Sequence, residues 1–174
     1  MDGTAIVGPQ GARTLWVTDL AVTGQLRADA GSVLFKGERL SGLPPYAVWR
    51  RGVSRTFQIT ATFATLSALD NVRVARLSHT GKTYSLLEAA ARLQADEARA
   101  LLEQVGLVEQ ADRVAAVLAY GDLKKLELAV ALANDPEVLL LDEPTAGMAH
   151  EDVDRISALI RRAAVNRTVL MVEH

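Results

Sequence analysis

The chain contains no cysteine. That excludes a disulfide scaffold, a thiol nucleophile and a cysteine zinc site, and it permits a reducing compartment. Aromatic residues are sparse at 5%, which disfavours a stacking surface for single-stranded nucleic acid. Basic charge is not in excess: Lys plus Arg is 19, Asp plus Glu is 21, and the formal net charge is −2. A dedicated nucleic-acid binder carries a basic surplus, so no nucleic-acid partner is expected. No apolar run approaches the ~20 residues that span a bilayer. Met1-Asp2-Gly3-Thr4 has neither the basic start nor the apolar stretch of a secretory signal. What remains is 174 residues, 49% hydrophobic and 23% charged. That is the balance of a soluble chain of about one domain's size, able to bury a core.

The clearest structural signal lies toward the C-terminal end. Asp135-Pro136 breaks the chain, Val138-Leu139-Leu140-Leu141 runs apolar without alternation, and Asp142-Glu143-Pro144 ends it. A short continuous apolar run between turn signals reads as a strand buried on both faces of a parallel sheet. Val153, Ile156, Leu159, Ile160 and Ala163 then follow helical spacing, with acids in the first turn and Arg161 and Arg162 near the end, as the helix dipole favours. Thr168-Val169-Leu170-Met171-Val172 reads as a second buried strand. Strand, helix, strand is a βαβ unit, so the fold class is α/β.

Upstream, Gly121-Asp122 precedes a helix with Leu123, Leu126 and Val130 on one face and Lys124, Lys125 and Glu127 off it. Ala98, Leu101, Leu102 and Val105 form a helical stripe that Gly106 caps. Residues 66–105 read as mostly helical, broken near Ser78 to Lys82, and Ile6-Val7 and Val33-Leu34-Phe35 read as short strands. The organisation is a sheet-containing core whose two halves flank a helical insert.

Leu139-Leu140-Leu141-Asp142-Glu143-Pro144 carries chemistry because an apolar strand delivers two acids at its C-terminal end. In open parallel sheets ligands bind beyond those strand ends. There Asp142 could hold Mg²⁺, and Glu143 could orient or deprotonate an attacking water. Taken alone, the two acids serve equally well as the cap of the next helix. Leu118-Ala119-Tyr120-Gly121-Asp122 opens the helix before that strand. A glycine at a helix start exposes backbone N–H groups to an anion, and Asp122 is expected to be the N-cap.

Together these stretches resemble the ATP-binding subunits of ABC transporters, whose signature is usually written LSGGQ and directly precedes the strand-end acids. The stretch Leu118 to Gly147, LAYGDLKKLELAVALANDPEVLLLDEPTAG, is most similar to the subunits of branched-chain amino-acid importers. Val53-Ser54-Arg55-Thr56-Phe57-Gln58 resembles that family's Q-loop, and His174 matches its switch histidine. Ala146-Gly147-Met148-Ala149 stands where the family's D-loop stands, with Ala149 at a position that is aspartate in many members.

The resemblance implies a P-loop NTPase-like (RecA-like) parallel sheet core over 1–60 and 122–174, and a helical subdomain over 61–121 that ends in the signature. It implies a head-to-tail dimer, homo- or heteromeric, with ATP and Mg²⁺ between two ATP-binding subunits. Asp142 and Gln58 would hold the metal. Glu143 would activate water, and His174 would contact the γ-phosphate. Ala119, Tyr120, Gly121 and Asp122 would meet ATP held by the partner. The surface from the Q-loop through Leu69-Asp70-Asn71-Val72 would receive a transmembrane permease subunit, so the chain would sit peripherally on the cytoplasmic face of the membrane. Strands before the phosphate loop and elements after the switch histidine would lie beyond the two ends of this sequence.

The resemblance fails at one place. Gly8-Pro9-Gln10-Gly11-Ala12 begins a phosphate loop of the form G-x-x-x-x-G-K-[ST], but positions 13 to 15 are Arg13, Thr14 and Leu15. The wrapping glycine and the lysine are missing. Read with one residue deleted, Arg13 takes the lysine position and Thr14 the hydroxyl, although a planar guanidinium replaces a compact ammonium poorly. The family pattern resumes at Thr23-Gly24-Gln25-Leu26. Gly81-Lys82-Thr83 ends like such a loop, but Arg76 stands where its first glycine belongs, so it is expected to be a surface turn. The leading expectation is therefore an ATP-hydrolysing importer subunit. The alternatives are a non-catalytic module that offers only its signature half-site, and an ABC-type ATPase acting on DNA, which the near-neutral charge disfavours.

Overall fold

A computed structural model describes residues 22–27, 31–56, 62–80 and 88–172 of the chain, the side chains of 79–80 and 88–93 excepted. A short hairpin pairs β1 (Leu34–Phe35) with β2 (Glu38–Arg39) in antiparallel register. Lys36 and Gly37 between them both take positive φ, 52° and 81°, as the two-residue turn matching the strand twist requires. Helix α1 (Pro45–Arg50) follows with proline in its first turn, where the missing N–H costs nothing.

Among the described residues three parallel strands form a sheet in the order β3 (Val53–Arg55), β4 (Val138–Asp142) and β5 (Thr168–Val172). Central β4 has cover on both faces. Leu139 and Leu141 enter the large helical core, while Leu140 packs on the other face with Leu40, Val48 and Val53. That two-sided burial is why the run is apolar without alternation, and the strand expected at 138–141 is found there.

The βαβ unit closes through helix α5 (His150–Ala163), which buries Ile156, Leu159, Ile160 and Ala163 and carries Glu151 and Asp152 in its first turn. Strand β5 differs from expectation. Only Val172 is buried, and Leu170 and Met171 are 42% and 50% exposed. Among the described residues β5 is an edge strand with β4 as its one neighbour, so its faces have less to pack against. The strand read at Ile6-Val7 lies outside the described residues.

Among the described residues, two α-helices lie in the segment expected as the insert: α2 (Ala68–Thr80) and α3 (Glu88–Gln104). The first runs three residues, 78–80, into the break expected from Ser78, and Gly81-Lys82-Thr83 lies outside the described residues. Ser67 starts α2 by a reciprocal cap: its Oγ accepts the Asp70 N–H at 3.0 Å and donates to the Asp70 carboxylate at 2.8 Å. Asn71 is buried and staples the preceding segment, accepting the Phe63 N–H at 2.7 Å and donating to the Ser67 carbonyl at 2.9 Å. Gly106 ends α3 at φ +68°, and the Leu107 N–H reaches back to the Leu102 carbonyl at 2.7 Å, the glycine-capped ending expected there.

Helix α4 (Tyr120–Leu132) joins insert to sheet. Leu126 is fully buried in one cluster with Val72 and Leu102 of the insert and Leu139 and Ile156 of the βαβ unit. Lys124 and Glu127 do lie off the stripe of Leu123, Leu126 and Val130, yet their side chains are buried as an ion pair at 3.0 Å. The pair lines a small cavity together with Leu128, Leu141, Ile156 and Ile160, so α4 is enclosed on more sides than its apolar stripe spells out.

Candidate functional site

Strand β4 ends on Asp142, and the next residue, Glu143, turns the chain with a left-handed φ of +45°. A non-glycine residue there costs on the order of 1 kcal/mol or more and persists only where its surroundings hold it. The hold is visible: the Glu143 N–H donates to the Val172 carbonyl at 2.9 Å, and the Glu143 carbonyl accepts from the Ala146 N–H at 3.2 Å. Pro144 is buried beside the turn. The acid at 143 is thereby fixed between the ends of β4 and β5, where parallel sheets bind ligands.

Asp142 is held through its side chain and its backbone. Its Oδ2 accepts from the Arg55 guanidinium at 2.8 Å, with the two side chains 5% and 2% exposed. Its N–H donates to the Thr56 hydroxyl at 3.3 Å, and the Thr56 N–H extends the β3 ladder to the Leu140 carbonyl at 2.9 Å. Arg55 is steadied in turn by Gln25, whose side-chain oxygen accepts at 3.0 Å. Gln25 is presented by Gly24, at φ +76°, where an added Cβ would come within 2.4 Å of the Leu43 carbonyl oxygen. Asp142 Oδ1 is buried and has no hydrogen-bond partner among the described residues. A carboxylate oxygen of that kind suits a hard cation. No group of three or more histidines and acids stands together among the described residues.

At the other end of the site, α4 begins one residue earlier than its glycine suggests. Ala119 is the N-cap, with extended φ −63° and ψ 153° and no side-chain cap. Asp122 is therefore not the N-cap. It sits in the first turn, where its charge suits the helix dipole, and it pairs with Lys125 at 2.8 Å. The extended backbone at 119 fixes where the helix starts, and an alanine there leaves the first N–H groups without a side-chain acceptor. Replacing Ala119 with serine is expected to add about 1 kcal/mol and to raise the melting temperature by roughly 2–4 °C. A thermal melt with no gain would contradict this account of the cap.

Tyr120 links the two ends of the site. Its hydroxyl donates to the Ala146 carbonyl at 2.9 Å, and its ring lies 5.7 Å from the Lys124 ammonium. The first turn of α4 is thus bonded to the loop that follows Glu143. The sequence offers no signal for this contact, because the residues are 26 apart and neither motif requires it. Ala149 is the N-cap of α5 and has no side-chain cap.

The structure brings Asp142 and Glu143 together with Arg55 and Thr56, the residues just before Gln58, and sets Ala119 to Asp122 against the 143–149 loop through Tyr120. Gly8, Pro9, Gln10, Gly11, Ala12, Arg13, Thr14, Gln58 and His174 lie outside the described residues. A groove of about 370 Å³ opens nearby, lined mainly by Tyr46, Val48, Trp49, Phe63 and Val74, with Arg55 also on its wall.

Residues 3–146 match the family model described as ABC transporter. The chain is 36% identical, over 98% of its length and 70% of theirs, to the high-affinity branched-chain amino acid transport ATP-binding proteins LivG of Escherichia coli K12 and BraF of Pseudomonas aeruginosa. Among solved structures, the ADP conformation of MJ1267, an ATP-binding cassette of an ABC transporter, superposes with a TM-score of 0.77 at 27% identity, covering 97% of this chain and 68% of the other. A nucleotide-free ATP-binding cassette superposes at 0.75 with 27% identity, covering 94% and 66%. The parallel sheet and its helical cover are accordingly the expected P-loop NTPase-like fold, and the chain belongs to the ABC transporter family.

Proposed function

We propose that this chain is an ATP-binding and ATP-hydrolysing subunit of an ABC importer for branched-chain amino acids or similar small polar solutes. The observation that carries the reading is the strand-end acid pair. Asp142 is buried with one oxygen unpartnered among the described residues, and Glu143 is locked in a left-handed turn beside Val172. Glu143 takes the proton of the attacking water, and His174, two residues beyond Val172, meets the γ-phosphate. Asp142 and Gln58 would hold Mg²⁺, which neutralises phosphate charge during transfer. Residues 8–14 surround the phosphates of the chain's own nucleotide, and Ala119 to Asp122 face the nucleotide of a second ATP-binding subunit.

The core over 1–60 and 122–174 binds nucleotide, and the insert over 61–121 passes its closure on. Transport would use separate permease subunits, with this chain peripheral on the inner face; no helix among the described residues is long and apolar enough to cross a membrane. The apolar groove between α1, α2 and α4 suits a short amphipathic helix from such a subunit. Val74 stands on its wall and is 38% exposed, so Val74→Asp changes the groove without emptying the core. Co-expressed with branched-chain permease subunits in membranes, the unaltered chain is expected to co-purify with them and Val74→Asp to lose at least about tenfold in recovery. Equal recovery of both would remove the groove from the account, and recovery of neither would count against the importer assignment.

A further inference from the structure

We infer that Arg55 is an internal counter-cation for Asp142, a positioning residue that takes the place of a divalent ion while the site holds none. The inference rests on the reading of Asp142 as the metal-side acid. A carboxylate buried as deeply as Asp142 is costly unless a cation or strong donors accompany it. Here the cation comes from the neighbouring strand, 87 residues away in sequence. Of the two Asp142 oxygens the guanidinium bonds Oδ2, at 2.8 Å, and Oδ1 has no partner among the described residues. Gln25 fixes Arg55 from behind and Thr56 fixes the Asp142 backbone, so the carboxylate is held in one orientation.

This arrangement has two consequences. Asp142 is oriented before any metal arrives, and the adjacent positive charge weakens its hold on a bare divalent ion. A metal accompanied by nucleotide phosphates, which bring their own negative charge, is favoured over the free ion. Arg55 also borders the groove, so one residue touches both the proposed permease surface and the strand-end acid.

The test uses Mn²⁺ without nucleotide, and it reads thermal melting and Mn²⁺ binding by electron paramagnetic resonance. Arg55→Gln leaves Asp142 buried and uncompensated, and is expected to melt about 10 °C lower in EDTA. Millimolar Mn²⁺ is expected to restore most of that loss, with Mn²⁺ affinity at least about tenfold above that of the unaltered chain. Arg55→Gln combined with Asp142→Asn removes both charges and is expected to melt close to the unaltered chain with no response to Mn²⁺. Should Arg55→Gln not fold in EDTA, the comparison becomes the yield of folded protein with and without Mn²⁺. An Arg55→Gln chain indifferent to Mn²⁺ in stability, affinity and yield overturns the inference, as does an equal Mn²⁺ response in the double variant. None of these readouts needs ATP, so failure here and failure of the ATPase reading are separable.

Discussion

Replacing Arg13, Thr14 and Leu15 with glycine, lysine and threonine is expected to raise ATP hydrolysis by about 10²-fold or more. The restored glycine lets the backbone close on the phosphates, and the lysine supplies a compact charge to the β- and γ-phosphates. The threonine puts a hydroxyl where the metal is expected. Phosphoryl transfer depends almost wholly on positioning and charge stabilisation, and one preorganised donor alone is commonly worth 10²–10³ in rate. Arg13, read into the lysine position, supplies charge in a bulky plane and recovers little of that. Asp142 ends β4 and Glu143 follows it, and neither is touched by the change. Phosphate release measured for both chains decides the matter, and equal rates would mean that the loop sequence is not what limits the reaction.

Leu126→Ala is expected to cost about 2–5 kcal/mol, a fall in melting temperature of roughly 4–20 °C for a chain of this size. Leu126 is fully buried where the insert, α4 and the βαβ unit share one cluster. A cavity there is felt by both regions, so the loss should appear as one earlier transition. Circular dichroism reports the helices, and tryptophan fluorescence reports Trp49 on α1 as one of two tryptophans. The two probes should melt together. Helical signal lost well before fluorescence would mean that insert and core are separate units and that Leu126 does not join them.

Much of the fold was legible because it is written in local pattern. The run at 138–141 and the spacing from Val153 to Ala163 specify strand and helix without outside help, and Gly106 marks the end of α3. The misreadings arise where tertiary neighbours decide. Leu170 and Met171 are spelled like a buried strand, but β5 stands at the edge of the described sheet. Asp122 looks like a cap, whereas the extended backbone that sets the cap falls on Ala119, whose side chain gives no signal. Lys124 and Glu127 stand off the apolar stripe in sequence, and their burial as an ion pair appears only in the packed structure.

The site divides in the same way. Asp142 and Glu143 announce themselves through strand-end position. Arg55 carries no signal of its own beyond standing three residues before Gln58, since its partner comes from another strand. Tyr120 is visible as part of a motif, but its bond to Ala146 exists only once α4 and the 143–149 loop are side by side.

That Glu143, the residue after β4, activates water for ATP hydrolysis is the core of the proposed function. It is tested most directly by phosphate release from the chain carrying glycine, lysine and threonine at 13–15, with and without Glu143→Gln, alongside equilibrium ATP binding. The account predicts that Glu143→Gln loses at least about 10²-fold in hydrolysis, the usual worth of a positioned general base, while ATP binding is unchanged. Hydrolysis at equal rates in the two chains would contradict it.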